Sequence, residues 1–138
     1  MPADRPATQR SPLTAAVVVL LGSAGATFVI ASAIHFGLSV QLGPVILHDP
    51  FEGAAVPEGV IAVVLACGAV TVMAGWSNRW AAALLATLFA LALTAYGLTI
   101  TMRSTRYGDI AYHLFILVVL SVTAALLLLP AGSRELDR

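Results

Sequence analysis

Four apolar runs constrain this chain more than any other feature: Leu13 to Leu38, Pro57 to Trp76, Trp80 to Thr101, and Ile110 to Leu129. Each supplies the roughly 20 residues that an α-helix needs to cross a hydrocarbon core about 30 Å thick. Together they contain a single formal charge, Glu58, whereas a helix of a water-soluble bundle carries a charged face along its length. Only 10% of all residues are charged and 59% are hydrophobic, against about 25% charged in ordinary globular domains. So short a chain cannot hide that much apolar surface inside itself, and lipid is expected to cover the remainder. Helices rather than strands follow, because an isolated span must satisfy its own backbone groups where no water is present.

The breaks between the runs are read from turn chemistry. Gly43-Pro44 and Asp49-Pro50 interrupt the first connection, Pro57 is placed in the first turn of the second helix, and Ser77-Asn78-Arg79 closes a hairpin between helices two and three. Trp76 and Trp80 flank that hairpin, at the level where amphipathic rings meet headgroups. The expected fold is all-α: an integral membrane four-helix bundle over residues 13–130, with spans at 13–38, 57–76, 80–101 and 110–129 and tails at 1–12 and 131–138. A cleaved signal peptide is the competing reading of the N-terminus, since Arg5 and Arg10 precede an apolar run through Ala31-Ser32-Ala33. That run is longer than the usual 7 to 15 residues of such a segment, which favours a true span.

All seven basic residues are arginines. A cytoplasmic N-terminus places Arg5, Arg10, Arg79, Arg134 and Arg138 inside and only Arg103 and Arg106 outside, so the positive-inside rule predicts that both termini are cytoplasmic. No basic stripe with interleaved aromatics is present, which excludes a nucleic-acid partner. The single cysteine, Cys67, rules out an internal disulfide and reads as a core-packing residue. Small residues at helical spacing, Gly22 with Ala26 and Ala82 with Ala86 and Ala90, suggest close helix approach.

This topology gathers the ionisable residues on the extracytoplasmic side. His35 falls near the end of helix one, Glu58 at the start of helix two, Arg103 at the end of helix three, and Asp109 and His113 at the start of helix four. Ionisable groups at membrane depth are costly, so a polar pocket facing the bundle interior is their default reading. Asp109 and His113 stand at i,i+4, where the carboxylate can orient the imidazole. His35, Glu58 and His113 form a His, His and carboxylate set suited to a metal ion or to proton transfer, and a haem held between the two histidines is a further arrangement. Simpler readings stand beside these: Asp109 as an N-cap, Glu58 as a first-turn carboxylate favoured by the helix macrodipole, the histidines as interhelical hydrogen-bonding groups. Tyr96, Thr99 and Arg103 are spaced to present a polar stripe to the same region, unless Arg103 snorkels to the headgroups. The first outer loop, Ser39 to Val56, carries His48, Asp49 and Glu52 among Val45, Ile46, Leu47 and Phe51. It is too apolar for a solvated loop and is expected to lie on the membrane surface or fold over the bundle end.

The stretch Pro57-Glu58-Gly59 through Leu65, Gly68-Ala69-Val70, then Arg79-Trp80-Ala81-Ala82-Ala83-Leu84-Leu85 resembles helices two and three of DoxX-like four-helix membrane proteins. That family commonly shows a glutamate early in helix two, a Leu/Gly-rich remainder and an Arg-Ala-Ala-Leu entry into helix three. Ile34-His35-Phe36-Gly37 and Gly108-Asp109-Ile110-Ala111-Tyr112-His113 look like small actinobacterial membrane proteins of the same layout, and the Arg-only, Ala- and Leu-rich composition suits a high-GC bacterium. The resemblance implies association with redox partners or the quinone pool, by analogy with relatives in thiosulfate:quinone oxidoreductase. The expected function is a small subunit or accessory of a membrane oxidoreductase system in the bacterial plasma membrane, not a catalyst on its own. Quinone, metal or haem are its candidate ligands, and a membrane protein or a second copy is its partner. A transporter or channel component, or a structural assembly factor, are the rival expectations.

Overall fold

A computed structural model describes residues 11–103 and 106–129, and the tails expected at 1–12 and 131–138 fall outside them except for Ser11 and Pro12. The elements in order are α1 (Pro12–His35), β1 (Val40–Leu42), β2 (Val45–Leu47), α2 (Glu52–Ala74), α3 (Arg79–Thr101) and α4 (Tyr107–Leu128). All four helices are long and apolar enough to cross a membrane. Each packs on its neighbours in sequence, and α1 closes against α4. The 36–51 connection, the end of α3 and the start of α4 therefore share one end of the bundle, the loop end. The α2–α3 turn, the start of α1 and the end of α4 share the other, the hairpin end.

Local chemistry sets the boundaries. Ser11 caps α1 by accepting the Thr14 N–H at 3.2 Å, and Pro12 follows with a φ preset for helix. Gly75 ends α2 in the left-handed region at φ +69°, which a residue with a Cβ rarely adopts. Across the hairpin end, the Trp80 indole N–H donates to the Leu127 carbonyl at 2.8 Å and satisfies an acceptor that the end of α4 leaves open. Trp76 stays exposed.

Val17, Leu21, Phe28, Leu65, Leu120 and Leu127 are almost wholly buried and fill the axis. Only 28–39% of the most apolar stretch of each helix is buried, however, and Val19, Leu85 and Val118 face outward on three different helices. Helices apolar on every side match a bilayer and not water.

Several expectations are corrected. The second helix begins at Glu52, not Pro57, so Pro57 is its sixth residue, where it removes one hydrogen bond to Gly53. The first helix ends at His35, not Leu38. The fourth begins at Tyr107 with Arg106 as N-cap, so Asp109 lies in the first turn and is not the cap. The connection at 36–51 is no plain loop: Val40↔Leu47, Gln41↔Ile46 and Leu42↔Val45 pair as an antiparallel hairpin. Its turn is Gly43-Pro44, with Gly43 at φ +58° followed by a proline of fixed negative φ, the sign pattern of a type II′ turn. Gly22 and Ala26 face outward; the α1–α2 contact uses Gly25, where an added Cβ would sit 3.6 Å from Leu65 Cβ. On α3 the buried small residues are Ala83, Ala86 and Ala90. Cys67 is exposed on the outer surface and is not a core residue.

Candidate functional site

At the loop end the bundle encloses a cavity of about 180 Å³ lined from all four helices. Two buried residues from neighbouring helices meet on its wall. His35, the last residue of α1, places Nδ1 2.6 Å from Oε2 of Glu58, the seventh residue of α2, and the two residues are 6% and 4% exposed. Because α2 starts at Glu52, Glu58 is nearly two turns from the helix start, and the macrodipole, which acts within the first turn, does not account for it. The Ser32 hydroxyl donates to the Ala55 carbonyl at 2.7 Å and fixes the α1–α2 register beside the pair. Glu58 Oε1 is buried with no hydrogen-bond partner among the described residues. Such an orphan atom is the exception in folded proteins and calls for an explanation.

His113 enters the same cavity from α4. Its Nδ1 lies 2.7 Å from the backbone carbonyl of Asp109. A carbonyl only accepts, so Nδ1 carries the proton and Nε2 of the neutral ring is left as an acceptor. The ring packs on α3 at Gly97, where an added Cβ would stand 2.8 Å from Nε2. The i,i+4 relation of Asp109 and His113 is therefore realised through the backbone. The Asp109 carboxylate turns instead towards Arg106, 3.5 Å from its Nη1.

The segment leading into α2 covers this end. The Phe51 N–H donates to the His35 carbonyl at 2.9 Å, and the Phe51 ring meets the imidazole edge-on at 6.2 Å. Arg106 lies 4.8 Å over the Phe51 ring centroid and donates from Nη1 to Asp49 Oδ2 at 2.9 Å. Ligand atoms of His35, Asp49 and Asp109 all lie within 4.8 Å of one another.

Of the residues singled out in the sequence, the structure brings His35, Glu58, Asp109 and His113 to one cavity, with Tyr96 on its rim at 65% exposure. Arg103 is exposed and does not line it; with Thr99 it lies on the outer face of the bundle. His48 is exposed and contacts Ser39 Oγ at 3.0 Å, and Glu52 is exposed at the start of α2. Asp49 belongs to the site through Arg106. Sequence reasoning missed Arg106, Phe51 and Gly97. A glycine in mid-helix opposite a histidine-bearing helix was the available signal for Gly97; nothing local distinguished Arg106 from Arg103.

A haem does not fit: the cavity is smaller than the roughly 300 Å³ at which pockets for larger organic ligands begin. A single substituted ring does, since an apolar cavity of about 150 Å³ accommodates benzene. Tyr96, Ile100 and Pro57 reach both the cavity and the outer surface, so its mouth lies between α2 and α3. No family model, no curated protein and no solved structure matches this chain, and its chemistry is read from these contacts alone.

Proposed function

We propose that this is a four-span protein of the bacterial plasma membrane, both termini cytoplasmic, that serves as a small subunit or accessory of a membrane oxidoreductase system. In this reading its outward pocket holds the head group of a lipid-soluble quinol. The observation that carries it is Glu58: one carboxylate oxygen is committed to His35 and the other is buried, without a partner among the described residues, in the wall of a ring-sized cavity. Leaving such an atom unsatisfied costs about 1 to 3 kcal/mol or more, and a ligand hydroxyl would recover it. His113 Nε2 offers a second acceptor, so a ring carrying hydroxyls matches the wall better than one carrying only carbonyls. The mouth between α2 and α3 opens on the lipid-facing surface, the route by which such a molecule arrives.

The chain holds and orients the ligand, Glu58 Oε1 and His113 Nε2 each accept one of its two hydroxyl protons, and an associated redox subunit takes its two electrons. A path across the membrane has less support. Towards the hairpin end the axis is filled by Val17, Leu21, Val72, Leu120 and Leu127, and the buried hydroxyls of Thr87 and Thr123 donate to carbonyls of their own helices. A closed pocket suits that packing better than a pore.

The test is calorimetric titration of nanodisc-embedded protein with a short-chain quinol and the matching quinone. Saturable binding that favours the quinol and is lost in Glu58→Ala but kept in Leu85→Ala is expected. Identical partitioning of both ligands into all three preparations overturns the reading.

A further inference from the structure

At the edge of the cavity, three segments distant in sequence bring metal-binding atoms together. His35 ends α1, Asp49 lies two residues before the N-cap of α2, and Asp109 sits in the first turn of α4; their ligand atoms fall within 4.8 Å of one another. Donors around a first-row dication stand about 2.0 to 2.2 Å from it, so side-chain movements of about an ångström close the set. The two carboxylates are part-exposed, Asp49 at 40% and Asp109 at 23% of the side chain, which leaves water free to complete the coordination.

A second observation comes from outside the cluster. Glu58 is nine-tenths buried and grips His35 by Nδ1, the contact by which a carboxylate fixes a histidine so that its other ring nitrogen faces a metal. Its remaining oxygen has no partner among the described residues. Asp49 and Asp109 set two carboxylates against the one Arg106 guanidinium, which leaves this pair of carboxylates one positive charge short among the described contacts. Arg106 contacts the Oδ2 atoms, and each carboxylate keeps a second oxygen.

We propose that His35, Asp49 and Asp109 bind a first-row divalent cation, with Glu58 as the positioning residue for His35. One imidazole with two carboxylates favours Zn²⁺, Mn²⁺ or Fe²⁺ over Ca²⁺, which takes oxygen ligands alone. The ion ties the segment over the cavity to α1 and α4 at once. His35 and Asp109 also line the cavity whereas Asp49 does not, so Asp49→Asn, which removes the ion and leaves quinol binding in place, separates the two readings.

The experiment uses the full chain, free of any affinity tag, in nanodiscs, titrated with Co²⁺ followed by absorption and with Zn²⁺ by calorimetry. One equivalent is expected to bind and to be released by a chelator. Asp49→Asn and Asp109→Asn should each weaken it at least tenfold, and Glu58→Gln by 10- to 100-fold. His35→Ala should abolish it and erase the Co²⁺ bands, whereas His48→Ala and Glu52→Gln leave the isotherm unchanged. Should His35→Ala misfold, the part-exposed Asp49→Asn carries the test. Absence of stoichiometric binding, wild-type affinity in both Asp49→Asn and Asp109→Asn, or tighter binding of Ca²⁺ than of Zn²⁺ overturns the proposal.

Discussion

The imidazole of His113 lies so close to Gly97 that a Cβ at position 97 would stand 2.8 Å from Nε2. No carbon is tolerated at that distance, so α3 at this level must be glycine for the ring to keep its place. His113 is held from behind by the Asp109 carbonyl and has little freedom to withdraw. Gly97→Ala is expected to destabilise the protein by about 1 to 3 kcal/mol, the usual cost of overpacking, and to weaken ligand binding in the cavity. Thermal unfolding in detergent alongside calorimetry checks both; an unchanged melting temperature would place His113 elsewhere.

The His35–Glu58 pair is buried on both sides, and removal of one partner strands the other. Glu58→Ala and His35→Ala should each cost about 3 to 5 kcal/mol. The double variant should cost clearly less than their sum, because the second substitution removes a group already stranded. A double-mutant cycle by denaturant unfolding measures the coupling, and additive losses would mean that the contact contributes nothing.

Two glycines should respond oppositely to enlargement. At Gly68 a Cβ would meet Ala86 Cβ at 3.0 Å and Ala83 Cα at 3.7 Å, both on α3. Gly68→Val should therefore force α2 from α3 and cost about 1 to 3 kcal/mol. Nothing lies within 4 Å of a Cβ at Gly22, so Gly22→Ala should be neutral or stabilising by up to about 1 kcal/mol through reduced backbone freedom. Unfolding of the two variants side by side decides the point.

The Arg106–Asp49 ion pair is part-exposed, with side chains 37% and 40% accessible. Arg106→Ala should lower global stability by no more than about 1 kcal/mol. It should nonetheless release the segment over the cavity, since the guanidinium also covers Phe51. Hydrogen exchange should rise at residues 48–52 while the amides of Leu65 and Leu120 stay protected; uniform protection would show that the Phe51–His35 backbone bond suffices.

Orientation is open to direct measurement because the chain has one cysteine. In a Cys67→Ala background, Ile46→Cys on the hairpin should react with an impermeant maleimide on intact cells. Ser77→Cys should react only after permeabilisation. The reverse pattern would invert the proposed topology and place the cavity on the cytoplasmic side.

Much of the architecture was legible because hydrocarbon thickness and backbone hydrogen bonding leave a chain with four twenty-residue apolar runs almost no alternative to four helices. Their number, approximate limits and antiparallel order follow from run length and turn residues. The gathering of His35, Glu58, Asp109 and His113 at one end follows from that order alone. The sequence was silent where contacts between elements outweigh local rules. Pro57 signalled a helix start, yet α2 extends back to Glu52 past a proline, a difference that sets the depth of Glu58. Arg103 and Arg106 are alike in sequence, and only the position of Asp49 and Phe51 selects Arg106. Cys67 and Gly22 face outward because helix rotation is fixed by which small residues meet across an interface, and no periodicity shows in helices apolar all round. One-dimensional patterning determined that these helices form and which end holds the charges. Tertiary packing alone decided which atoms touch, because in a uniformly apolar helix only the partner breaks the rotational symmetry.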